Sequence, residues 1–235
     1  MILVKYLLVC DLDDTLTGDK KGIRNFNEVI SLEKGRFCLA YSSGRFKDSI
    51  ISVMEKEKLI RPDAIISNLG TEIYYAPNWN IDEKWEKFIS KNWNKKEIIS
   101  ILADFDLQRQ PYNKKFVIPC YATDRVMVRE LEEKMKDCKA KIIYTKNRFL
   151  DIIPENAGKG NAAKYVGNTM DLPIICCGDS ENDEDMLKKS DYGVLVGNAP
   201  IDLQKKLSKC SNIHVAKSLY ATGVIEGLKS HGIIC

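Results

Sequence analysis

Two aspartates, one residue apart, follow the first apolar run of the sequence. The run extends from Ile2 to Cys10 and is interrupted by one charged residue, Lys5; Asp11 and Asp13 come directly after it. Side chains at positions i and i+2 of a strand point to the same side, so both carboxylates are expected to face one space. Negative charges that close repel each other, and a bound cation is the usual remedy. The sequence therefore predicts a cation site where this strand ends.

Three further polar turns are placed so that they can join these aspartates. Two of them follow apolar runs and the third opens a predicted helix; they are Ser42–Arg45, Gly178–Asp183 and Gly158–Gly160. Ligands in open α/β sheets bind beyond the carboxyl ends of the strands. If the strands lie side by side in a parallel sheet, all four turns converge on one site.

The residue types in these turns describe a phosphate site. Carboxylates offer the hard oxygen ligands that Mg²⁺ prefers, and four are available, Asp11, Asp13, Asp179 and Asp183. Lys159 adds a positive charge at a helix start, and Ser43 adds a hydroxyl donor beside backbone N–H groups. A carboxylate near phosphorus can act as a nucleophile, and a second can act as acid and base.

Other interpretations of the same turns fit less well. The first turn could be a calcium loop, but Gly22 stands where the closing glutamate belongs and a strand precedes the turn. The acidic run Asp179–Asp185 could simply cap a helix, where negative charge is favourable. Gly158–Gly160 lacks the upstream glycine and the following hydroxyl of a Walker A loop. Its match to a relaxed dinucleotide fingerprint lacks the N-terminal βαβ context.

The order of predicted elements indicates an α/β fold with an insertion. Apolar strands alternate with helices at both ends of the chain, and an early helix is predicted over Asn25–Leu32. From near Pro77 the pattern becomes α+β, beginning with a helix over Asp82–Trp93. We expect a doubly wound, mostly parallel sheet formed by residues 1–79 and 156–235. Residues 80–155 are expected to form an inserted α+β domain.

Composition excludes several classes of partner. With 36 basic and 33 acidic residues, the net charge of +3 is too small to indicate a nucleic-acid partner. The N-terminal apolar run is too short to span a membrane, so we expect a cytoplasmic protein. The eight cysteines form no Cys-x-x-Cys pair, which favours reduced, buried thiols over a disulfide framework or a zinc site.

With these residues in place, the chain resembles the haloacid dehalogenase-like phosphatases. Four motifs occur in the family's order: Asp11–Thr15, Ser42–Arg45, Lys159 and Gly178–Asp183. The insertion resembles the family's class II cap. Within the superfamily the chain is most similar to the sucrose-6-phosphate phosphatases, and also to the Cof-type sugar phosphatases. The matching segments are Asp11–Asp19, Leu39–Arg45, Gly70–Tyr74, Asp151–Lys159 and Ala221–Leu228.

Two departures from the sucrose-6-phosphate phosphatases stand out. Ser43 occupies the position of the usual threonine and keeps the hydroxyl. The segment Gln110–Phe116 matches the proline-aromatic-lysine sugar-binding segment loosely.

The resemblance implies a mechanism. Asp11 attacks phosphorus in line and forms an aspartyl-phosphate, while Asp13 protonates the leaving sugar oxygen and later takes a proton from water. Mg²⁺ is held by Asp11, the backbone carbonyl of Asp13 and Asp179, with Asp183 orienting ligands or waters.

The resemblance also implies supporting roles. Ser43, Gly44 and Lys159 hold the phosphoryl oxygens, and Thr15 and Asn182 orient the groups around them. The cap closes over the sugar, excludes water and sets specificity. Four residues are candidates for contact with the sugar: Glu72, Asn113, Lys115 and Arg45.

The function that follows is hydrolysis of a sugar phosphate by a monomer or weak homodimer. Sucrose 6-phosphate or a similar glycosyl phosphate is the expected substrate. Alternatives are a Cof-type sugar phosphatase, a mannosyl- or glucosyl-3-phosphoglycerate phosphatase, a phosphosugar mutase or phosphotransferase, and a non-catalytic metabolite-binding module.

Overall fold

The structure, a computed structural model, describes residues 5–33, 35–112 and 114–235. The chain divides into two compact units: the first combines the chain up to Asp82 with Lys159–Cys235, and the second is Glu83–Gly158. Both junctions lie three residues later than the boundaries expected from sequence.

The strands in chain order are β1 (Tyr6–Asp11), β2 (Phe37–Ser42), β3 (Ala64–Ser67), β4 (Glu72–Tyr75), β5 (Asn80–Ile81), β6 (Gln108–Arg109), β7 (Ile118–Tyr121), β8 (Ala140–Thr145), β9 (Phe149–Pro154), β10 (Ile174–Gly178), β11 (Tyr192–Leu195) and β12 (Ile213–Val215). The helices are α1 (Lys20–Leu32), α2 (Lys47–Glu57), α3 (Glu83–Ser90), α4 (Lys95–Leu102), α5 (Arg125–Lys134), α6 (Lys159–Met170), α7 (Glu184–Lys189), α8 (Ile201–Leu207) and α9 (Tyr220–Ser230).

The first unit contains a mostly parallel sheet. In the described part of the chain, its strand order is β12-β11-β10-β1-β2-β3-β4-β5. The six strands from β12 to β3 run parallel, and β4 and β5 add an antiparallel edge. The expected α/β class with a mostly parallel sheet is confirmed. Strand β1 lies between β10 and β2, which brings the chain segments after all three strands to one edge of the sheet.

The central strand is apolar because helices cover both faces of the sheet. Leu8 and Cys10 of β1 belong to a buried cluster that also contains Phe26 of α1 and Val224 of α9. Helices α6 and α7 pack against each other and against β10. Because side chains alternate along a strand, Asp11 points to the face opposite Cys10. The last residue of β1 is thereby turned away from the α1–α9 layer.

Two predicted helix boundaries in the first half of the chain were wrong. Helix α1 begins at Lys20, not Asn25, because the Asp19 carboxylate caps it by accepting from the N–H groups of Lys21 and Gly22, both at 2.9 Å. The helix expected over Asp82–Trp93 spans only Glu83–Ser90. The short strand β5 precedes it and pairs with β4, which explains why the first unit extends to Asp82.

The second unit is an antiparallel sheet with helices. Its strand order is β6-β7-β9-β8, and α4 and α5 supply buried side chains to the same core as the sheet. Ile98, Leu131 and Ile152 are representative members of that core. Within the described ranges, no helix combines the length and apolar character that a membrane crossing requires.

Candidate active site

Three buried carboxylates meet at the carboxyl edge of the first unit's sheet. Asp11 ends β1, and Asp179 and Asp183 lie in the turn after the neighbouring strand β10. One oxygen of each lies within 4.8 Å of the others. Their exposed fractions are 5%, 8% and 0%. Because β1 and β10 pair in parallel, the two acidic turns of the sequence end beside each other.

Lys159 supplies the positive charge of this cluster. It is the first residue of α6 and is 3% exposed. Its Nζ donates to Asp11 Oδ1 at 2.6 Å and to Asp183 Oδ1 at 2.7 Å. A longer contact of 3.3 Å joins Nζ to Asn182 Oδ1. One ammonium group thus links the end of β1 to the turn after β10.

The charges of the cluster do not balance. Burial raises the pKa of Asp179 to about 7, and the nearby charge of Asp183 acts in the same direction. Burial also raises the pKa of Asp11 well above its usual value, although Lys159 opposes the effect. Burial alone would lower the pKa of Lys159, but Asp11 and Asp183 raise it. Three carboxyl groups surround one ammonium group, and a bound cation would relieve the repulsion and burial that raise these pKa values.

Hydrogen bonds fix the carboxylates in place. Thr15 Oγ1 donates to Asp179 Oδ1 at 2.9 Å. The Oδ2 atom of Asp183 accepts from the N–H of Asp179, the N–H of Ser180 and the Ser180 hydroxyl, each at 3.2 Å. A Cβ at Gly178 would lie 2.4 Å from the Cβ of Asp183, so this turn requires glycine. The acidic turn is held by its own backbone.

The Asp13 carboxylate lies outside this cluster. Strand β1 ends at Asp11, and the chain then turns so that the N–H groups of Leu16 and Thr17 both donate to the carbonyl of Leu12, at 3.1 and 2.9 Å. The alternation expected to carry Asp13 to the side of Asp11 therefore does not continue. The structure brings together three of the four expected carboxylates, and Asp13 pairs with Arg45 instead.

The second motif lies beside β1 at the end of β2. Ser43 is 1% exposed, and its Oγ accepts from the N–H of Arg45 at 3.2 Å. The N–H of Leu69 donates to the Ser43 carbonyl at 3.1 Å. Gly44 faces the Leu69 side chain, which a Cβ at position 44 would approach to 3.3 Å. Ser43 and Gly44 therefore occupy the same sheet edge as Asp11, as β1–β2 pairing requires.

Of the expected sugar contacts, Glu72 and Arg45 belong to the first unit. The Oε2 atom of Glu72 accepts from Ser67 Oγ at 2.9 Å and from the Tyr74 hydroxyl at 3.1 Å. Arg45 holds Asp13 and also donates to Ser49 Oγ at 3.1 Å. Both side chains are already oriented by protein groups.

The other two expected sugar contacts fall in the second unit. Lys115 is exposed, pairs with Glu86 at 2.9 Å, and places its Nζ 4.9 Å from the centre of the Phe116 ring. Asn113 lies outside the described residues.

Sequence reasoning missed Asn198. This residue follows β11 at the same sheet edge, and its Nδ2 donates to the carbonyl of Asp14 at 2.6 Å. Its Oδ1 accepts from the N–H of Tyr220 at 2.9 Å. The available indication was the Gly197-Asn198 pair directly after an apolar strand, a position equivalent to the other polar turns.

Comparisons with known proteins agree with the family resemblance. A family profile described as sucrose-6F-phosphate phosphohydrolase matches residues 4–232. The structure of a sucrose-phosphatase from Synechocystis, in complex with sucrose and phosphate, superimposes with a TM-score of 0.91. It is 26% identical in sequence, and the match covers 97% of this chain and 98% of that one.

Two curated relatives differ in how much of their length is matched. Sucrose-phosphatase 1 of Nicotiana tabacum is 29% identical over 222 residues, which are 85% of this chain and 52% of that protein. The chain thus spans about half the length of the tobacco protein. Mannosylfructose-phosphate phosphatase of Agrobacterium fabrum is 27% identical over 240 residues, which are 97% of each chain.

The profile match extends over nearly the whole chain and confirms the resemblance drawn from the motifs. The chain belongs to the sucrose-6F-phosphate phosphohydrolase family.

Proposed function

We propose that this chain is a Mg²⁺-dependent phosphatase that hydrolyses a sugar phosphate through an aspartyl-phosphate. The observation that carries the proposal is the pairing of buried Asp11 with buried Lys159 at 2.6 Å, inside a cluster of three carboxylates. A nucleophilic carboxylate must be ionised, and Lys159 favours the ionised form of Asp11 against the effect of burial while remaining close enough to contact the phosphoryl oxygens.

The carboxylate cluster fits Mg²⁺. Its donors are hard oxygens from Asp11, Asp179 and Asp183, and their mutual repulsion is only partly relieved by Lys159. When bound there, Mg²⁺ would offset the negative charge of the phosphoryl oxygens. Mg²⁺ and protons would compete for the Asp179 carboxylate, so the binding of Mg²⁺ would depend on pH.

The reaction divides between two aspartates. A carboxylate oxygen of Asp11 forms a bond to phosphorus as the bond from phosphorus to the sugar oxygen breaks, and Asp13 gives a proton to that oxygen. Water then attacks the aspartyl-phosphate while Asp13 takes a proton from it, which releases inorganic phosphate and restores Asp11. Ser43, Gly44 and Lys159 hold the phosphoryl oxygens through both steps.

The expected substrate is sucrose 6-phosphate. The family profile and the fold shared with a sucrose-phosphatase support it. The phosphate of mannosylfructose is the second candidate, because the enzyme named for that substrate matches this chain along 97% of both lengths. Glu72 and Lys115 are proposed to contact the sugar.

Phosphate release from a panel of esters tests the proposal. The panel contains sucrose 6-phosphate, mannosylfructose phosphate, glucosyl-3-phosphoglycerate and a hexose phosphate, each with Mg²⁺ and with chelator. We expect Mg²⁺-dependent release of inorganic phosphate and free sugar, abolished by Asp11→Asn. Asp63→Asn is the matched control, because Asp63 accepts from the Leu39 N–H at 2.9 Å near the opposite end of β2. Absence of phosphate release from every ester would refute the proposal.

Product analysis separates hydrolysis from transfer. A mutase or phosphotransferase would yield a new sugar phosphate in place of inorganic phosphate.

A further inference from the structure

The side-chain amide of Asn198 connects two segments that are far apart in sequence. Its Nδ2 donates to the carbonyl of Asp14 at 2.6 Å, and its Oδ1 accepts from the N–H of Tyr220 at 2.9 Å. We propose that Asn198 is a positioning residue for Asp13, acting through the backbone of the turn that contains both Asp13 and Asp14. The inference rests on the proposed function, since it assigns Asp13 the transfer of a proton.

Other hydrogen bonds hold the turn after β1 at its base and beside the carboxylate cluster. At its base, two backbone N–H groups and the Thr17 hydroxyl all donate to the carbonyl of Leu12. Thr15 is tied to Asp179 on the side of the carboxylate cluster. The side chain of Asp13 binds Arg45. At the Asp14 carbonyl, the side chain of Asn198, which follows β11, holds the backbone next to Asp13.

Both residues held by Asn198 have a positive φ. Asp14 has a φ of 61° and Tyr220 a φ of 50°, the left-handed region that residues with side chains rarely adopt. Aspartate tolerates this region, but a bulky aromatic residue does so at a cost. Such conformations persist only where surrounding contacts determine them, and here one side chain bonds to the backbone of both residues.

The ring of Tyr220 also lies against this turn. Gly18 lies at the far end of the turn with a φ of 127°, and a Cβ there would lie 2.5 Å from Tyr220 Cε1. Asn198 thus reaches the turn twice, directly at Asp14 and through Tyr220 at Gly18. The turn is held between these two contacts.

Asn198 is itself held firmly enough to act as a support. The preceding N–H of Gly197 donates to the carbonyl of Ser218 at 2.9 Å. The Gln204 side chain donates to the carbonyls of Gly197 and Ala199, at 3.1 and 2.8 Å. The backbone on both sides of Asn198 is therefore held by hydrogen bonds that do not involve the Asn198 side chain.

Loss of the bond to Asp14 should displace Asp13 and leave Asp11 in place. Asp11 is held by β1 and Lys159, neither of which depends on Asn198. At saturating Mg²⁺ the expected defect is therefore in proton transfer. A sugar alkoxide is a poor leaving group and needs the proton, whereas 4-nitrophenolate leaves without one.

The test compares Asn198→Asp with Asn27→Asp. Each aspartate keeps an oxygen to accept from the backbone N–H and loses the donor. Asn27 is the matched control, because its side chain also bridges one carbonyl and one N–H, those of Lys58 at 2.7 Å and Ile60 at 2.9 Å. Both asparagines are partly buried.

For Asn198→Asp we expect kcat/KM for the preferred sugar phosphate to fall at least about tenfold, since small misplacements of catalytic groups cost up to about a hundredfold. The value for 4-nitrophenyl phosphate should change less than about threefold. Both values should stay unchanged in Asn27→Asp. An equal loss for both esters, or no loss for either, would overturn the proposal.

Amide hydrogen exchange gives a readout that needs no activity. The N–H groups of Leu16 and Thr17 should exchange faster in Asn198→Asp than in the wild type, and at the wild-type rate in Asn27→Asp. Unchanged exchange in Asn198→Asp would also overturn the proposal. A wild-type protein that hydrolyses no ester would refute the proposed function alone, and exchange would still decide whether Asn198 holds the turn.

Discussion

Arg45 holds both carboxylate oxygens of Asp13. Its Nε donates to Oδ2 and its Nη2 to Oδ1, each at 2.7 Å, in the two-pronged geometry that guanidinium and carboxylate groups favour. The two side chains are 40% and 44% exposed, so the ion pair stabilises the fold by at most about 1 kcal/mol. Its main consequence is geometric, because it sets the direction in which Asp13 presents its carboxylate, and one of the two contacts must open when Asp13 carries the proton.

Replacing Arg45 should therefore impair turnover more than stability. We expect Arg45→Ala to lower kcat/KM for a sugar phosphate by about tenfold to a hundredfold, since Asp13 loses its fixed orientation. The midpoint of urea unfolding should hardly move. Arg45→Lys keeps the charge but not the two-pronged contact and should recover only part of the activity. Full activity in Arg45→Ala would show that Asp13 needs no such support.

Lys159 should matter to both stability and activity. Lys159→Met leaves Asp11 and Asp183 buried without their cation, and breaking a buried pair costs about 3–5 kcal/mol. Urea unfolding of the metal-free protein measures this loss, and Mg²⁺ should restore part of it while activity stays at least about a hundredfold below wild type. Lys164→Met, which replaces an exposed lysine of the same helix, serves as the control. Equal stability of the two variants would contradict the pairing.

Asp179 should make both stability and Mg²⁺ binding depend on pH. Because its folded-state pKa is raised to about 7, the metal-free protein is stabilised by its protonated form at low pH. That contribution is lost as the pH rises through about 7. Mg²⁺ needs the ionised form, so its affinity should fall as the pH is lowered below about 7. Calorimetric titrations at several pH values check this, and an affinity independent of pH would contradict it.

Glu226 should act in the opposite direction. Although its partial burial favours the neutral form, hydrogen bonds from the N–H groups of Lys217 and Ser218 lower its pKa to about 2. The stability it contributes is present above about pH 4.5, the usual value, and is lost as the pH falls towards 2.

Glu226→Gln tests this directly. The variant should be less stable than wild type by about 1–2 kcal/mol at pH 7, because it loses charge-assisted hydrogen bonds. At pH 3 the difference should be smaller. Denaturant unfolding at both values measures it, and a gap that widens towards low pH would reverse the assigned sign.

Lys115 should affect sugar recognition alone. Lys115→Met is expected to raise KM for the sugar phosphate about tenfold and to leave 4-nitrophenyl phosphate hydrolysis unchanged. Lys134→Met is a matched control within the second unit, because Lys134 also forms an exposed ion pair, with Asp104 at 3.1 Å. An identical response of the two variants would remove Lys115 from the sugar site.

The convergence of the acidic turns could be predicted because it depends on local pattern. The runs before Asp11 and Asp179 are apolar enough to form buried strands, and parallel strands bring their carboxyl ends together. The direction of the Asp13 side chain could not be predicted in this way. It depends on where β1 ends, and a single residue of strand decides which side the carboxylate faces.

Contacts between distant segments could not be predicted from the sequence pattern. Asn198 and Asp14 are separated by 184 residues, and nothing local in either segment indicates the other. The start of helix α1 was also hard to predict, although it depends on neighbouring residues alone. Its first turn is too polar to show helical periodicity, so the Asp19 cap was the only indication of where it begins.

The position of β1 between β2 and β10 has a consequence during synthesis. Thr15 and Asp179 are 164 residues apart, and the second unit lies between them in the chain. At about 5–20 residues per second, a ribosome needs about 10–30 s to make that interval. One edge of β1 therefore stays unpaired until β10 emerges, and Asp11 lacks its counterion until Lys159 emerges shortly before it. We expect the nascent chain to be most prone to aggregation and most dependent on chaperones during this interval.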